Sequence, residues 1–131
     1  GMGNFIASNL INKMKQKKMK IKGAKILIMG LTFKENCADI RNSGIKSVIT
    51  KLKKFGCTLD LYDPWADKIE IKNKYNIFPI SKLSKNTYDS ILIAVAHKKF
   101  KKMGIKFISN LCKKNHVIFD FKYLFSKYTI Y

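Results

Sequence analysis

Lys25-Ile26-Leu27-Ile28-Met29-Gly30 is a nearly continuous apolar run closed by a glycine. It is too short for a helix and shows no polar alternation, the pattern of a strand buried on both faces and therefore of a parallel sheet. Downstream, Ile45, Val48, Ile49, Leu52 and Phe55 trace a helical stripe, with Asn42 or Ser43 placed to cap it and Gly56 placed to end it. Thr58–Tyr62 (TLDLY) reads as a second strand, closed by Asp63 and Pro64. Strand, helix, strand is a βαβ unit with parallel strands and a right-handed crossover. The pattern then predicts a helix over Trp65–Tyr75, a short strand over Asn76–Pro79 and a buried strand over Ser90–Ala96 (SILIAVA). Helices over Lys98–Met103 and Ile105–Lys114, interrupted at Gly104, and a last strand over His116–Phe119 complete the chain. This alternation predicts an α/β fold, a Rossmann-like doubly wound parallel sheet preceded by an N-terminal helix.

That first helix is read over Gly1–Lys22, where Ile6, Leu10 and Met14 recur at helical spacing beside Phe5 and Ile11. Its second half carries Lys13, Lys15, Lys17, Lys18, Lys20 and Lys22, so the cations would complement the helix dipole. Contact with a membrane surface or RNA is the sharper reading of the same lysines, and Phe5, Ile6, Leu10 and Met14 could also form the seam of a homodimer. The domain division is 1–22, a basic amphipathic helix, and 23–131, the α/β domain, with a hinge at Lys22–Ala24. Gly1 ahead of Met2 reads as a cloning remnant.

The chain has 131 residues, 27 Lys and Arg against 8 Asp and Glu, a formal net charge of +19 and 47% hydrophobic residues. It is long enough for one domain and apolar enough to bury a core, so the charge sits on a folded surface. No apolar stretch approaches the roughly 20 residues of a membrane-spanning helix, and the apolar-then-basic order at the N-terminus reverses that of a secretory signal. Cys37, Cys57 and Cys112 are odd in number and lack metal-ligand spacing, which argues against a disulfide framework or a zinc site and for a reducing cytoplasm. All the basic residues but Arg41 are lysine. Base reading and phosphate clamping favour the guanidinium fork, so this excess argues only weakly for nucleic acid.

In open α/β sheets, ligands sit beyond the carboxyl ends of the strands, which directs attention to the segments after Gly30, Asp63, Ala96 and Asp120. The first of these, Leu31 to Ser43, is long and has no G-x-G-x-x-G turn, so the dinucleotide fingerprint is absent. It offers an aromatic ring, an ammonium and a guanidinium ahead of a helix N-terminus, a set that suits a phosphorylated or nucleotide ligand. Asp63 stands where a Rossmann domain keeps its ribose carboxylate, yet Asp before Pro is equally good turn chemistry. His97 falls on the ligand face, but a lone histidine beside two lysines reads as a surface residue. Cys37 between Lys34 and Arg41 would have a lowered pKa if the loop gathers them, and is otherwise an unreactive thiol.

At this loop the sequence resembles a known family. Gly30-Leu31-Thr32-Phe33-Lys34-Glu35-Asn36, then Asp39-Ile40-Arg41-Asn42-Ser43, a helix, and Tyr62-Asp63-Pro64-Trp65 in register resemble the C-terminal domain of the UDP-glucose/GDP-mannose dehydrogenases. The variant is similar to the UDP-N-acetylhexosamine 6-dehydrogenase branch. Ala94-Val95-Ala96-His97 with Phe100, and Phe119-Asp120-Phe121-Lys122, resemble later segments of that domain, and Met2-Gly3 with the following helix resembles the end of the family's central dimerisation helix. The resemblance implies oxidation of a UDP-sugar C6 alcohol to the carboxylate, a polysaccharide-precursor step. The oxidation runs by two hydride transfers to NAD through a thioester on a catalytic cysteine. It also implies that the NAD-binding domain and that cysteine lie in parts this chain lacks, since none of its three cysteines matches the catalytic position. No catalytic residue is assigned here, and the domain alone, whether an excised piece or a truncated gene product, is expected to be inactive.

What the resemblance assigns to this chain is the nucleotide-sugar half of the site. Phe33 and Lys34 would contact the UDP-sugar, Lys122 would help hold it, and Arg41 would reach toward the cofactor across the domain cleft. The other readings are that Phe33 packs its loop, Lys34 is one lysine among many, and Arg41 pairs with Asp39 or Glu35 to order the segment. The competing function is a basic α/β module for nucleic acid or anionic surfaces, with the Lys13–Lys22 cluster as its feature. The implied partners are a UDP-sugar and the NAD-binding and central helical domains.

Overall fold

The computed structural model describes residues 2–31, 44–121 and 124–125. Strand β1 is Lys25–Met29, and Ile26, Leu27, Ile28 and Met29 are all fully buried. The two faces of the pleat feed two cores. Ile26 and Ile28 join one cluster with Leu92, Val117 and Phe119, while Leu27 and Met29 join the other with Ile91, Ile93 and Ile118. A strand covered on both sides is what a continuous apolar run dictates.

The remaining elements follow in the expected alternation. An N-terminal helix α1 (Met2–Gln16) precedes β1, and α2 (Ile45–Lys54), β2 (Thr58–Tyr62), α3 (Lys68–Tyr75), β3 (Tyr88–Ile93), α4 (Lys98–Asn110) and β4 (Cys112–Asp120) complete the chain. The four strands lie in the order β2-β1-β3-β4, every pair parallel. The chain steps from β1 to β2 on one side and returns to β3 on the other, so the switch point lies between β1 and β3. Among the described residues no helix is long and apolar enough to cross a membrane.

Helix α1 belongs to the core. Ile6, Ala7, Leu10, Ile11 and Met14 are buried in one cluster with Ile45, Val48, Ile49 and Leu52 of α2. The seam expected for a homodimer is therefore largely used up within the chain: Ile6, Leu10 and Met14 are covered, and only Phe5 stays exposed.

Several boundaries differ from expectation, each for a local reason. Helix α1 stops at Gln16 rather than Lys22, because Lys18 adopts a left-handed conformation (φ 59°). Lys18 N–H then donates to Lys15 O and Met19 N–H to Met14 O, a Schellman closure built without glycine. Lys18, Lys20 and Lys22 consequently lie beyond the helix, not in its last turn. Helix α3 begins at Lys68, not Trp65: the Trp65 N–H is taken by Asp63 Oδ1 at 2.8 Å, and Asp67 caps the helix by accepting from Glu70 N–H at 2.9 Å.

The strand expected at Asn76–Pro79 does not form. Asn76 serves as the left-handed C-cap of α3 and Pro79 has no N–H to donate, which leaves a lone backbone bond from Ile80 N–H to Leu61 O. The break expected at Gly104 is present, since that glycine is non-helical (φ 82°, ψ 154°) and divides α4 in two, but the second part ends at Asn110 rather than Lys114. Strand β4 is correspondingly longer than His116–Phe119. Its register slips, with Tyr88 opposite Cys112 but Ser90 opposite Val117, so Lys113, Lys114 and Asn115 bulge into solvent. Of the caps foreseen for α2, Asn42 and Ser43 lie outside the described residues; Gly44 occupies the N-cap without a side-chain bond.

Candidate functional site at the carboxyl ends of the strands

Four strand ends converge at one edge of the sheet: Gly30-Leu31 after β1, Asp63 after β2, Ala94–His97 after β3 and Phe121 after β4. Backbone bonds continue the sheet across this edge, from Gly30 N–H to Tyr62 O (2.9 Å), Ala94 N–H to Met29 O (2.9 Å) and Phe121 N–H to Ile93 O (3.2 Å). Gly30 (φ 98°) permits the tight join at the switch point, because a Cβ there would stand 2.7 Å from Val95 Cβ and 2.9 Å from its nitrogen.

Asp63 ties these ends together. It is 6% exposed, and its Oδ2 accepts from Leu31 N–H at 2.8 Å and contacts His97 Nε2 at 3.3 Å, while Oδ1 accepts from Trp65 N–H at 2.8 Å. Burial opposes ionisation, but the hydrogen bonds from His97, Leu31 and Trp65, with the histidine's charge, outweigh it and hold the carboxyl below the usual carboxylate range. Of the two roles open to Asp63 in the sequence, the structure displays the turn: the bond to Trp65 N–H is an Asx-type turn. His97 departs from expectation. It is completely buried rather than on the surface, with its ring edge-on to Phe100 (centroids 5.1 Å apart, 86° between planes). The overlooked signal was positional: Asp63 and His97 each follow a strand that flanks β1, so they meet over its end.

The other carboxylate at this edge, Asp120, is fully buried; its Oδ1 accepts from Leu124 N–H and its Oδ2 from Phe125 N–H, each at 2.8 Å. Beside β2 and β3, half-exposed Trp65 and Lys98, Lys99 and Lys102 of α4 line an open cleft of about 490 Å³. An aromatic face with ammonium groups at the start of a helix favours an anionic ligand. Phe33, Lys34, Arg41 and Lys122 lie outside the described residues, as does Cys37; their described neighbours Leu31 and Phe121 stand at the carboxyl ends of β1 and β4.

The remaining thiols are at the opposite edge. Cys57 precedes β2 and Cys112 opens β4; both are free and buried. Burial, helped by Asp89, raises the Cys57 pKa and pushes that of Cys112 up to about 12, so neither is a ready nucleophile at neutral pH. Among the described residues no group of three or more His, Cys, Asp and Glu side chains could hold a metal ion. The described residues do not fit a dinucleotide either: no glycine-rich turn follows β1, and the Asp63 carboxylate is already taken up by backbone N–H groups and His97.

Residues 27–127 match the model of the UDP-glucose/GDP-mannose dehydrogenase family, UDP binding domain. The chain belongs to this family. It is 43% identical over 123 residues to UDP-N-acetyl-D-glucosamine 6-dehydrogenase of Salmonella typhi, covering 94% of this chain and 29% of that protein. It is 40% identical over 124 residues to the enzyme of the same name from Pseudomonas aeruginosa, covering 95% and 29%. Among solved structures, a UDP-D-ManNAc dehydrogenase from Pyrococcus horikoshii superimposes with a TM-score of 0.69 at 21% identity, over 89% of this chain and 26% of that one. That likeness carries the fold. The chain therefore spans less than a third of the length of these relatives.

Proposed function

We propose that this chain binds the UDP-sugar of an NAD-dependent nucleotide-sugar 6-dehydrogenase, as the domain that holds the nucleotide while the oxidation at C6 is completed by parts outside it. The observation that carries the reading is the match of residues 27–127 to the UDP binding domain, in a chain whose switch point falls where that family's loop motif begins. In this reading Phe33 packs against the nucleotide-sugar, Lys34 offsets the charge of the diphosphate, and Lys122, just beyond β4, adds a second ammonium. Arg41 reaches toward a cofactor held by another domain. NAD, when bound there, accepts the hydrides; the misfit of the dinucleotide to the described strand ends is why its site is assigned elsewhere. The basic edge at Trp65, Lys98, Lys99 and Lys102 supplies a favourable potential for an anionic substrate.

The test is calorimetric titration of the chain with UDP and with UDP-N-acetylglucosamine, at low and high salt, beside a random oligonucleotide. Saturable UDP binding that survives salt and is lost in Lys34→Ala is the expected result, with no NADH formed from UDP-sugar and NAD. Oligonucleotide binding alone, abolished by salt, would overturn the reading in favour of a polyanion-binding surface. Turnover by the isolated chain would overturn the assignment of the chemistry to other domains.

A further inference from the structure

We propose that Asp63 and His97 form a positioning latch for the nucleotide-sugar site, fixing Leu31 at the carboxyl end of β1, next in sequence to the motif that carries Phe33 and Lys34. The inference rests on the UDP-sugar reading and adds to it two residues that act through Leu31.

Leu31 is held from both flanking strands. On the β3 side, Gly30 is pressed against Val95, with no room for even one added carbon. On the β2 side, Leu31 N–H is bonded to Asp63 Oδ2. That same oxygen meets His97 Nε2, and since a carboxylate only accepts, the imidazole hydrogen lies on Nε2. The histidine is oriented for this contact. It occupies the N-cap position of α4 yet makes no side-chain capping bond there, and its ring stands on edge against Phe100, turned toward Asp63. A buried carboxylate and imidazole cost more than the apolar pair that could fill the same volume, so packing alone does not account for them. Through one carboxylate the ends of β1, β2 and β3 hold a common geometry, and Leu31 is two residues from Phe33 and three from Lys34.

The experiment compares UDP affinity and the Leu31 amide resonance in the 131-residue chain and three variants. Asp63→Asn removes the charged acceptor and is expected to weaken UDP binding about tenfold, with an upfield shift and faster exchange of the Leu31 amide proton. Ile28 and Leu92 amides should stay protected. Should that variant fail to fold, the histidine pair decides. His97→Phe fills the space without a donor and is expected to weaken binding about fivefold, whereas His97→Gln restores a donor and should return affinity to within about twofold of wild type. Wild-type affinity in His97→Phe with an unmoved Leu31 amide would overturn the latch alone. A wild-type chain that binds no UDP would overturn the UDP-sugar reading, and the latch's role with it.

Discussion

The two ends of the sheet use the same residue type in opposite ways. At the carboxyl ends, Asp63 and Asp120 are buried and accept from the backbone N–H groups of Leu31, Trp65, Leu124 and Phe125. Toward the amino ends, Asp60 in the middle of β2 and Asp89 near the start of β3 keep about a quarter of their side-chain surface in water and face lysines: Lys25 Nζ is 3.9 Å from Asp60, and Lys113 Nζ 3.3 Å from Asp89. The first arrangement fixes chain segments, because each N–H has one direction. The lysine contacts of the second fix little, since an exposed ammonium on a four-carbon stem exchanges partners with water, and what holds there is one bond to each carboxylate, from Lys25 N–H to Asp89 and from the Tyr88 hydroxyl to Asp60. A carboxylate in this fold thus marks a built site where it is fully buried and takes two backbone N–H groups, and a more solvated face where lysine supplies part of its shell.

The strongest way to break this contrast is Asp63→Ala. It removes the acceptor for two N–H groups and His97 in a buried setting, and should cost about 3 kcal/mol or more of unfolding free energy, read from the urea midpoint. Asp120→Ala should cost less, about 2 kcal/mol, because the freed amides of Leu124 and Phe125 sit in partly exposed positions and can take up water. A loss at Asp63 no larger than that of a surface carboxylate would remove the distinction between the two ends.

Acid titration sharpens the same point. The folded Asp63 carboxyl is held below its unfolded value of about 3.9. Its contribution is therefore complete above that value and is lost as pH falls through the lower, folded pKa. Stability of the wild type should decline more steeply below about pH 4 than that of Asp63→Asn, with the two curves parallel at higher pH. Equal slopes across the acid limb, measured by thermal melts at closely spaced pH, would contradict the assignment.

How much of this was legible depended on whether the determinant was local. Strand β1, helix α2 and strand β2 could be read to within a residue or two, because KILIM, the Ile45-Val48-Ile49-Leu52 stripe and TLDLY each carry their own period. The end of α1 was hidden, since Lys18 takes the left-handed turn that a reader looks for at glycine. The length of β4 was hidden too, because its register is set by pairing with β3 and by a bulge of exposed lysines and asparagine that carries no apolar signal. At the site, strand-end logic led to the carboxyl edge, and the GLTFKEN–DIRNS resemblance led to the segment that departs from Leu31. The burial of His97 needed the strand order: only with β1 between β2 and β3 do Asp63 and His97, 34 residues apart, meet over the end of β1. Phe33, Lys34, Arg41 and Lys122 rest on the motif, outside the described residues.

Between the extremes stands Tyr88, fully buried at the start of β3, whose hydroxyl donates to Asp60 Oδ2 at 2.6 Å. Burial, then the bond to Asp60 and its charge, raise the phenol pKa, so it remains a donor throughout the physiological range. Tyr88→Phe leaves the ring in place and should cost about 1 kcal/mol, more than any single lysine at this end and less than Asp63. Equality with the lysines would mean that Asp60 behaves as solvated despite this bond.

The smallest effect is expected among the lysines themselves, and its sign is informative. Lys18, Lys20, Lys22, Lys113 and Lys114 line a cleft of about 580 Å³ at the amino ends of the strands, with Asp89 the sole carboxylate among its lining residues. Asp89 already accepts from Lys25 N–H at 2.8 Å as well as from Lys113, so Lys114 faces mainly like charge. Lys114→Glu should therefore stabilise the chain at low salt, by about 0.5 kcal/mol, and the gain should vanish near 1 M salt, where screening reaches across only about 3 Å. Melting the two proteins across a salt series measures this directly. A destabilisation instead, persisting at high salt, would mean that the lysine's stem packs the cleft wall and that this end of the sheet is built more firmly than its ion pairs suggest.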